Sequence, residues 1–186
     1  MDNDSKAANS DQLIARARKD PSAFVQLYRR HYDAVFRHCV HRLFERQTAE
    51  DITSQVFLKV VENLGRFKGT EQQFCNWLYR IATNAVNDHL RKAVRRKTLL
   101  KVACEQANSQ DANNKDTSDE KLAVLREAVL SLKPRYQTII TLRFFENMRL
   151  TEIADVLACS RGTARSQLAR ALSKLRRRLI ASDKAT

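Results

Sequence analysis

The residues in this chain that could do chemistry are cations and amides rather than nucleophiles. Residues 150–178 read LTEIADVLACSRGTARSQLARALSKLRRR. Ile153, Val156 and Leu157 give a first helix an apolar face. Cys159-Ser160-Arg161-Gly162 is the expected break, and residues 163–178 form a second helix with Leu168, Ala171, Leu172, Leu175 and Leu179 on one stripe. Arg161, Arg165, Arg170, Lys174, Arg176, Arg177 and Arg178 fall at or near the other side. A short helix, a tight turn and a basic second helix is the helix-turn-helix pattern. The first residues of such a second helix reach base edges in a major groove, and its cationic flank holds phosphates. The competing reading is a basic amphipathic helix that only packs in a bundle.

Two further polar lines lie upstream. Asn76, Arg80, Thr83, Asn84, Asn87, Asp88 and Arg91 stand opposite an apolar stripe of Phe74, Trp77, Leu78, Ile81, Ala82, Ala85, Val86, His89 and Leu90. Arg91-Lys92 and Arg95-Arg96-Lys97 extend the positive end, and the basic loop Gly65-Arg66-Phe67-Lys68-Gly69-Thr70 precedes the helix. Cations, amides and a loop aromatic suit single-stranded or locally opened nucleic acid, in which a pocket accepts an unstacked base. The alternative is a solvated face with a basic end favoured by the helix dipole. The second line is Asp51, Gln55, Leu58, Lys59 and Glu62, a polar row carrying one Leu. It reads either as a solvated face or as a docking face for another protein.

Composition narrows the remaining choices. The chain has 186 residues and a formal charge of +13. Residues 1–103 are net +8, residues 104–120 net −4 and residues 121–186 net +9. Two basic bodies joined by an acidic strip suggest two modules that face nucleic acid. No segment is long and apolar enough to span a bilayer and the N-terminus has no signal-peptide core, so membrane insertion is not expected and a soluble, cytoplasmic protein is. No P-loop, metal set, Ser/His/Asp or Cys/His arrangement is present, so no enzyme and no cofactor are expected. Cys39, Cys75, Cys104 and Cys159 form no C-x-x-C pair and no disulfide framework. His38, Cys39 and His41 read as a solvated helix face with a core cysteine rather than as ligands.

These residues must be positioned by helices. Glycine (3) and proline (2) are scarce and the long apolar periods are helical, so the fold expected is all-α, with two small helical domains. Residues 1–10 read as a polar tail, and residues 11–19 carry a short helical pattern. Asp20-Pro21 then starts a long helix whose apolar stripe runs from Phe24 to Phe44. Thr48 is the expected cap of the next helix, which buries Ile52, Val56, Phe57, Val60, Val61 and Leu64. Residues 104–118 are a linker by composition. Beyond it come a helix bearing Leu122, Leu125, Ala128, Val129 and Leu132, and another from Pro134 with Tyr136, Ile139, Ile140 and Phe144 inward. The domain limits expected are 11–103 and 119–182.

Three ordered motifs resemble the extracytoplasmic-function (ECF) group of bacterial sigma-70 factors, over roughly residues 12–179. TAEDITSQVFLKVVENLGRFKG is similar to region 2.2, FCNWLYRIATNAVNDHLRK to regions 2.3 and 2.4, and the segment from LREAVLSLKPRYQTII through LSKLRR to region 4. The resemblance implies an alternative sigma factor that binds core RNA polymerase, at the clamp helices of the largest subunits and the flap region, and promoter DNA. It implies core contact by Asp51, Ser54, Gln55, Leu58, Lys59 and Glu62. It implies −10 contact by Lys68, Asn76, Arg80, Asn84, Asn87, Asp88, Arg91 and Lys92, with Phe74 and Trp77 as structural supports. It implies −35 contact by Ser160, Arg161, Thr163, Arg165, Ser166, Arg170 and Lys174. Members of the group are commonly held inactive by an anti-sigma factor.

The chain departs from the family pattern at Ser54 and Gln55, where the family usually has Gln and Glu. Ala158 stands where the helix-turn-helix usually has Gly, and Ala in a left-handed conformation there costs about 1 kcal/mol more. Ala164 stands where a larger β-branched residue is common. Two other readings remain from the residues alone: a free-standing helix-turn-helix regulator, which binds duplex DNA without polymerase, and a non-specific basic coat on nucleic acid.

Overall fold

The computed structural model describes residues 11–103 and 120–183. The expected N-terminal tail and the expected linker lie outside the described residues. The described residues form helices joined by short turns, with no strand among them. The order is α1 (residues 11–17), α2 (Pro21–Leu43), α3 (Arg46–Leu64), α4 (Glu71–Ala103), α5 (Glu120–Leu130), α6 (Pro134–Ile140), a π-helical continuation of α6 (Thr141–Phe145), α7 (Leu150–Val156) and α8 (Arg161–Asp183).

In the N-terminal domain α2, α3 and α4 pack around one core that includes Leu27, Val35, Val56, Val60, Phe74, Leu78 and Val86. Each such apolar side chain contributes about 1.5–3 kcal/mol when fully removed from water. Asp20 opens α2 as expected, its carboxylate accepting from the Ser22 N–H at 2.8 Å with Pro21 at the first position. The cap of α3 differs from expectation. Glu45 holds the free N–H groups of Gln47 (2.8 Å) and Thr48 (2.6 Å), so α3 starts two residues before Thr48. A longer carboxylate reaches both donors at once, which a threonine hydroxyl cannot. Val61, expected inside, is exposed. Before α4 the loop folds back on the helix it introduces: Phe67 stacks on Trp77 with ring centres 5.2 Å apart and meets Phe74 edge-on. Gly69 fits closely there: a Cβ would lie 2.5 Å from Gln73 Oε1 and 3.0 Å from the Phe67 ring, so a larger residue would displace the Gln73 side chain.

The C-terminal domain packs α5, α6 and α7 on α8. Its core includes Tyr136, Ile139, Leu142, Ile153, Ala164 and Ala171. Two expectations fail here. Phe144 is 54% exposed, while Thr141 and Leu142 are buried. The π-helical turn, in which the Glu146 N–H donates to Thr141 O, inserts extra chain and rotates the following residues out of the 3.6 phase. Leu172 is exposed instead of on the core stripe, and Ala164 is fully buried. The break also sits earlier than read. Ala158 has φ 51°, its N–H donates to Asp155 O and the Cys159 N–H to Ala154 O. That pair of bonds is a Schellman closure of α7. Ser160 then caps α8, accepting from the Thr163 N–H at 3.1 Å, and Arg161 is its first residue.

Candidate nucleic-acid and docking faces

The α3 row is an open surface. Asp51, Ser54, Gln55, Lys59 and Glu62 are exposed and Leu58 is 63% exposed, with Val61 also outward. Ser54 does not offer its hydroxyl freely, since it donates to Glu50 O at 3.0 Å. The buried side of the same helix, Ile52, Val56, Phe57 and Val60, fixes this row outward. An exposed Leu and Val among charges can bury apolar area against a partner while the rim charges set its register.

The recognition segment is open too. Ser160, Arg161, Thr163, Arg165, Ser166 and Arg170 are exposed, and buried Ala164 and Ala171 hold that face outward. Ser160 Oγ is engaged in the cap and lies 2.9 Å from Thr163 Oγ1. It thereby starts the helix, while Arg161, Arg165 and Arg170 extend into solvent. Lys174 is half-buried, with its ammonium 6.0 Å from the Tyr136 ring.

The polar row of α4 behaves differently. Lys68, Asn84, Arg91 and Lys92 are exposed, and Asp88 pairs with Arg91. Asn76 and Thr83, expected on a solvated face, are buried at 7% and 3% exposure. The C-terminal domain covers Asn76, whose amide donates to Asp155 Oδ2 at 3.1 Å. Arg80 donates to the Asp155 carbonyl oxygen. Thr83 lies 3.4 Å from His38 Nε2 inside the N-terminal domain. Asn87 accepts from Arg42 at 2.8 Å, and the same guanidinium donates to Gln137 at 2.7 Å. Arg42 is thus a buried bridge between the domains, and burial lowers its pKa to about 10, still far above neutrality.

A second cluster centres on Glu146, whose side chain is 6% exposed. The Tyr79 hydroxyl donates to its Oε2 at 2.9 Å. His38 Nδ1 and His41 Nδ1 each face its Oε1 at 3.6 Å. Burial pushes the Glu146 pKa up, but the contacts with His38, Tyr79 and His41 outweigh it and hold the carboxyl below its ordinary value. Burial dominates at His38 and lowers its pKa in spite of Glu146. Burial, with the carboxylate beside it, raises the Tyr79 hydroxyl well above its ordinary value. His38 is therefore no solvated face: it is completely buried, and His41 is half-buried. Cys39 and Cys75 are free thiols raised to about 11 by burial, which makes them poor nucleophiles at neutral pH. Among the described residues no group of His, Cys, Asp and Glu is arranged to hold a metal ion, and no helix is long and apolar enough to cross a membrane.

Sequence reasoning missed His38, His41, Arg42, Gln137, Glu146 and Asp155 as members of one seam. The available signal was His38 and Arg42 at i, i+4 beside Val35 and Cys39. A polar pair inside an apolar stripe needs partners from elsewhere.

Comparison with known proteins gives a consistent result. Residues 27–96 match the family model for Sigma-70 region 2, and residues 122–175 that for Sigma-70, region 4. The chain is 33% identical over 179 residues to the ECF RNA polymerase sigma factor BldN of Streptomyces coelicolor, covering 95% of this chain and 68% of that protein. It is 32% identical over 171 residues to the RNA polymerase sigma-H factor of Pseudomonas aeruginosa, covering 86% and 88%. In fold it is similar to CnrH, solved in complex with the cytosolic domain of CnrY, at TM-score 0.67 and 23% identity over 92% of this chain and 97% of that one.

Proposed function

The chain belongs to the extracytoplasmic-function group of RNA polymerase sigma factors in the sigma-70 family, and from that premise we propose how its faces divide the work. It is an alternative sigma factor, binding core RNA polymerase and promoter DNA to direct transcription initiation. We assign residues 11–103 to core binding and −10 recognition and residues 119–182 to −35 recognition, with 104–118 as the link. The protein acts by binding rather than by catalysis, and it acts in the cytoplasm.

In this reading Asp51, Gln55, Leu58, Lys59 and Glu62 on α3 meet the polymerase clamp helices. Leu58 supplies the apolar anchor. The first turns of α8 enter the major groove at −35, where Arg161, Arg165 and Arg170 divide base and phosphate contacts. Asn76, Arg80, Asn84 and Asn87, with Lys68, Arg91 and Lys92, hold the opened −10 strand. A flipped base exists only in opened DNA, so binding it preferentially supplies the free energy for melting. The observation that carries the reading is the ordered pair of matches, region 2 then region 4, on two separately cored domains. A free-standing regulator gives no role to the first of these.

Run-off transcription with purified bacterial core polymerase on a pool of random promoters tests it. Start sites that appear only with the protein, sharing motifs about 10 and 35 bases upstream as the family likeness requires, are expected. No initiation, together with tight duplex binding in the absence of polymerase, would overturn it.

A further inference from the structure

The loop that carries Lys68 is held from outside its own helix. Ile14 and Ala17 are buried in the N-terminal core, and that seating brings Asp11, the first residue of α1, to the start of α4. There the Glu71 N–H donates to Asp11 Oδ1 at 2.6 Å, from a residue 60 positions away in the chain. The local cap does not supply this bond. Thr70 and Gln73 are engaged with each other, the Thr70 N–H donating to Gln73 Oε1 at 3.0 Å and the Gln73 N–H to Thr70 Oγ1 at 3.4 Å. That reciprocal pair leaves the Glu71 N–H for another acceptor. The Glu71 carboxylate in turn pairs with Arg30 of α2 at 2.7 Å. Glu71 is thus tied to α1 through its backbone and to α2 through its side chain. The near end of the loop is fixed too. The Arg66 N–H donates to Asn63 O and the Phe67 N–H to Leu64 O, each at 3.1 Å, and the Phe67 ring lies on Trp77. Lys68 and Gly69 stand between the two anchored ends, with Lys68 exposed.

We propose that Asp11 is a positioning residue for capture of the opened −10 strand: by holding the Glu71 N–H it anchors the far end of the loop and presents Lys68 in place before the strand arrives. The proposal rests on the −10 assignment of Lys68 made above. Asp11 touches no DNA in this role and acts through the loop. Its charge alone works against the loop's task, because a carboxylate near a phosphate-holding cation repels phosphate. Directed at the first N–H of α4, that charge meets the positive end of the helix dipole instead, so the bond turns an unfavourable charge into a support. A loop fixed in advance loses little freedom when it binds a strand, whereas a loose one must be ordered at that moment. Thr70 and Gln73 alone start the helix, but they belong to the same turn as the loop and move with it. Asp11 ties that turn to a separate element seated in the core. Neither the α3 row nor the first turns of α8 share a hydrogen bond with Asp11 or Glu71, so core docking and duplex reading do not pass through this anchor.

The test uses holoenzyme reconstituted from the full chain and bacterial core polymerase. The probe is a dye-labelled non-template-strand oligonucleotide spanning the −10 element of a promoter found by the run-off experiment. Asp11→Ala, which removes the acceptor, is expected to weaken strand binding roughly tenfold while leaving affinity for core and for −35 duplex unchanged. Asp11→Asn keeps an acceptor oxygen and is expected to bind the strand within about twofold of the unsubstituted chain. In a Lys68→Ala background Asp11→Ala is expected to cost far less, because its effect runs through the loop. Strand binding by Asp11→Ala equal to that of the unsubstituted chain would overturn the proposal. Equal losses of strand and core affinity would overturn it as well, since a loosened N-terminal domain gives both. So would full additivity with Lys68→Ala. An unsubstituted holoenzyme without affinity for the strand would strike the −10 assignment itself, and the proposal would fall with it.

Discussion

The two helices assigned to DNA solve the same problem in opposite ways. α4 is long, buries large side chains such as Phe74, Leu78 and Val86, and has part of its polar row, including Asn76 and Asn87, occupied by protein. α8 buries alanines, Ala164 and Ala171, and leaves its polar row to solvent. Large buried side chains make α4 a rigid platform, and polar groups on it can be masked by a separable partner without disturbing the core beneath. Small ones bring α8 close to α6 and α7, so its face is held by backbone proximity. A surface that must read duplex DNA can stand ready, since duplex is always present.

The platform side of this contrast predicts the largest effect. Phe74→Ala should cost about 3–5 kcal/mol in chemical denaturation, because the ring is fully buried between Phe67, Trp77 and His31. A cost near 1 kcal/mol would show that α4 is not the rigid member of the pair. Next, Arg42→Ala removes charge-assisted bonds to Gln137 and Asn87 and should destabilise the closed chain by about 2–3 kcal/mol. The same substitution in the isolated N-terminal domain should cost less, if the bridge acts between domains. On the open side, Arg165→Ala should leave the melting temperature unchanged. In promoter competition it should lose about 1–3 kcal/mol of discrimination at one −35 position, and an equal loss on all sequences would assign Arg165 to phosphate instead. Ala158→Gly should stabilise the C-terminal domain by about 1 kcal/mol in thermal melts, since φ 51° strains any residue with a Cβ.

A graded effect comes from pH. His38 is lowered from 6.5 and Glu146 from 4.5, so the folded chain binds fewer protons than the unfolded one in both windows. Stability is fully present above pH 6.5, falls as pH drops below it through His38, and falls again below 4.5 through Glu146. Asp155→Arg, by opening the seam and wetting His38, should flatten the upper part of that slope in urea titrations at stepped pH. An unchanged slope would place the burial of His38 within the N-terminal domain alone.

The helices and their cores were legible because their signals are local. Asp20-Pro21 starts α2 and the apolar stripe of α4 faces its core, both as the spacing requires. The strain at Ala158 was anticipated only through the family likeness, which has Gly at that position, and φ 51° bears it out. Phe144 was not, since one π-helical turn shifts every later residue out of phase and leaves no mark in the pattern itself. The seam showed only through the His38 and Arg42 pair inside an apolar stripe, with its partners hidden. Arg42 and Gln137 are 95 residues apart, and Asn76 and Asp155 are 79 apart, so each reads alone as a solvated polar residue. Charge that is hidden by a partner looks the same in sequence as charge that is hidden by water.

Trp77 has one further consequence. It is the single tryptophan of the chain, and it stacks on Phe67 from the basic loop that precedes α4. Indole emission therefore arises from one place, beside the α4 face proposed to hold the opened strand. If the proposed −10 assignment holds, intrinsic fluorescence is a built-in optical channel for the arrival of an unpaired base at that loop.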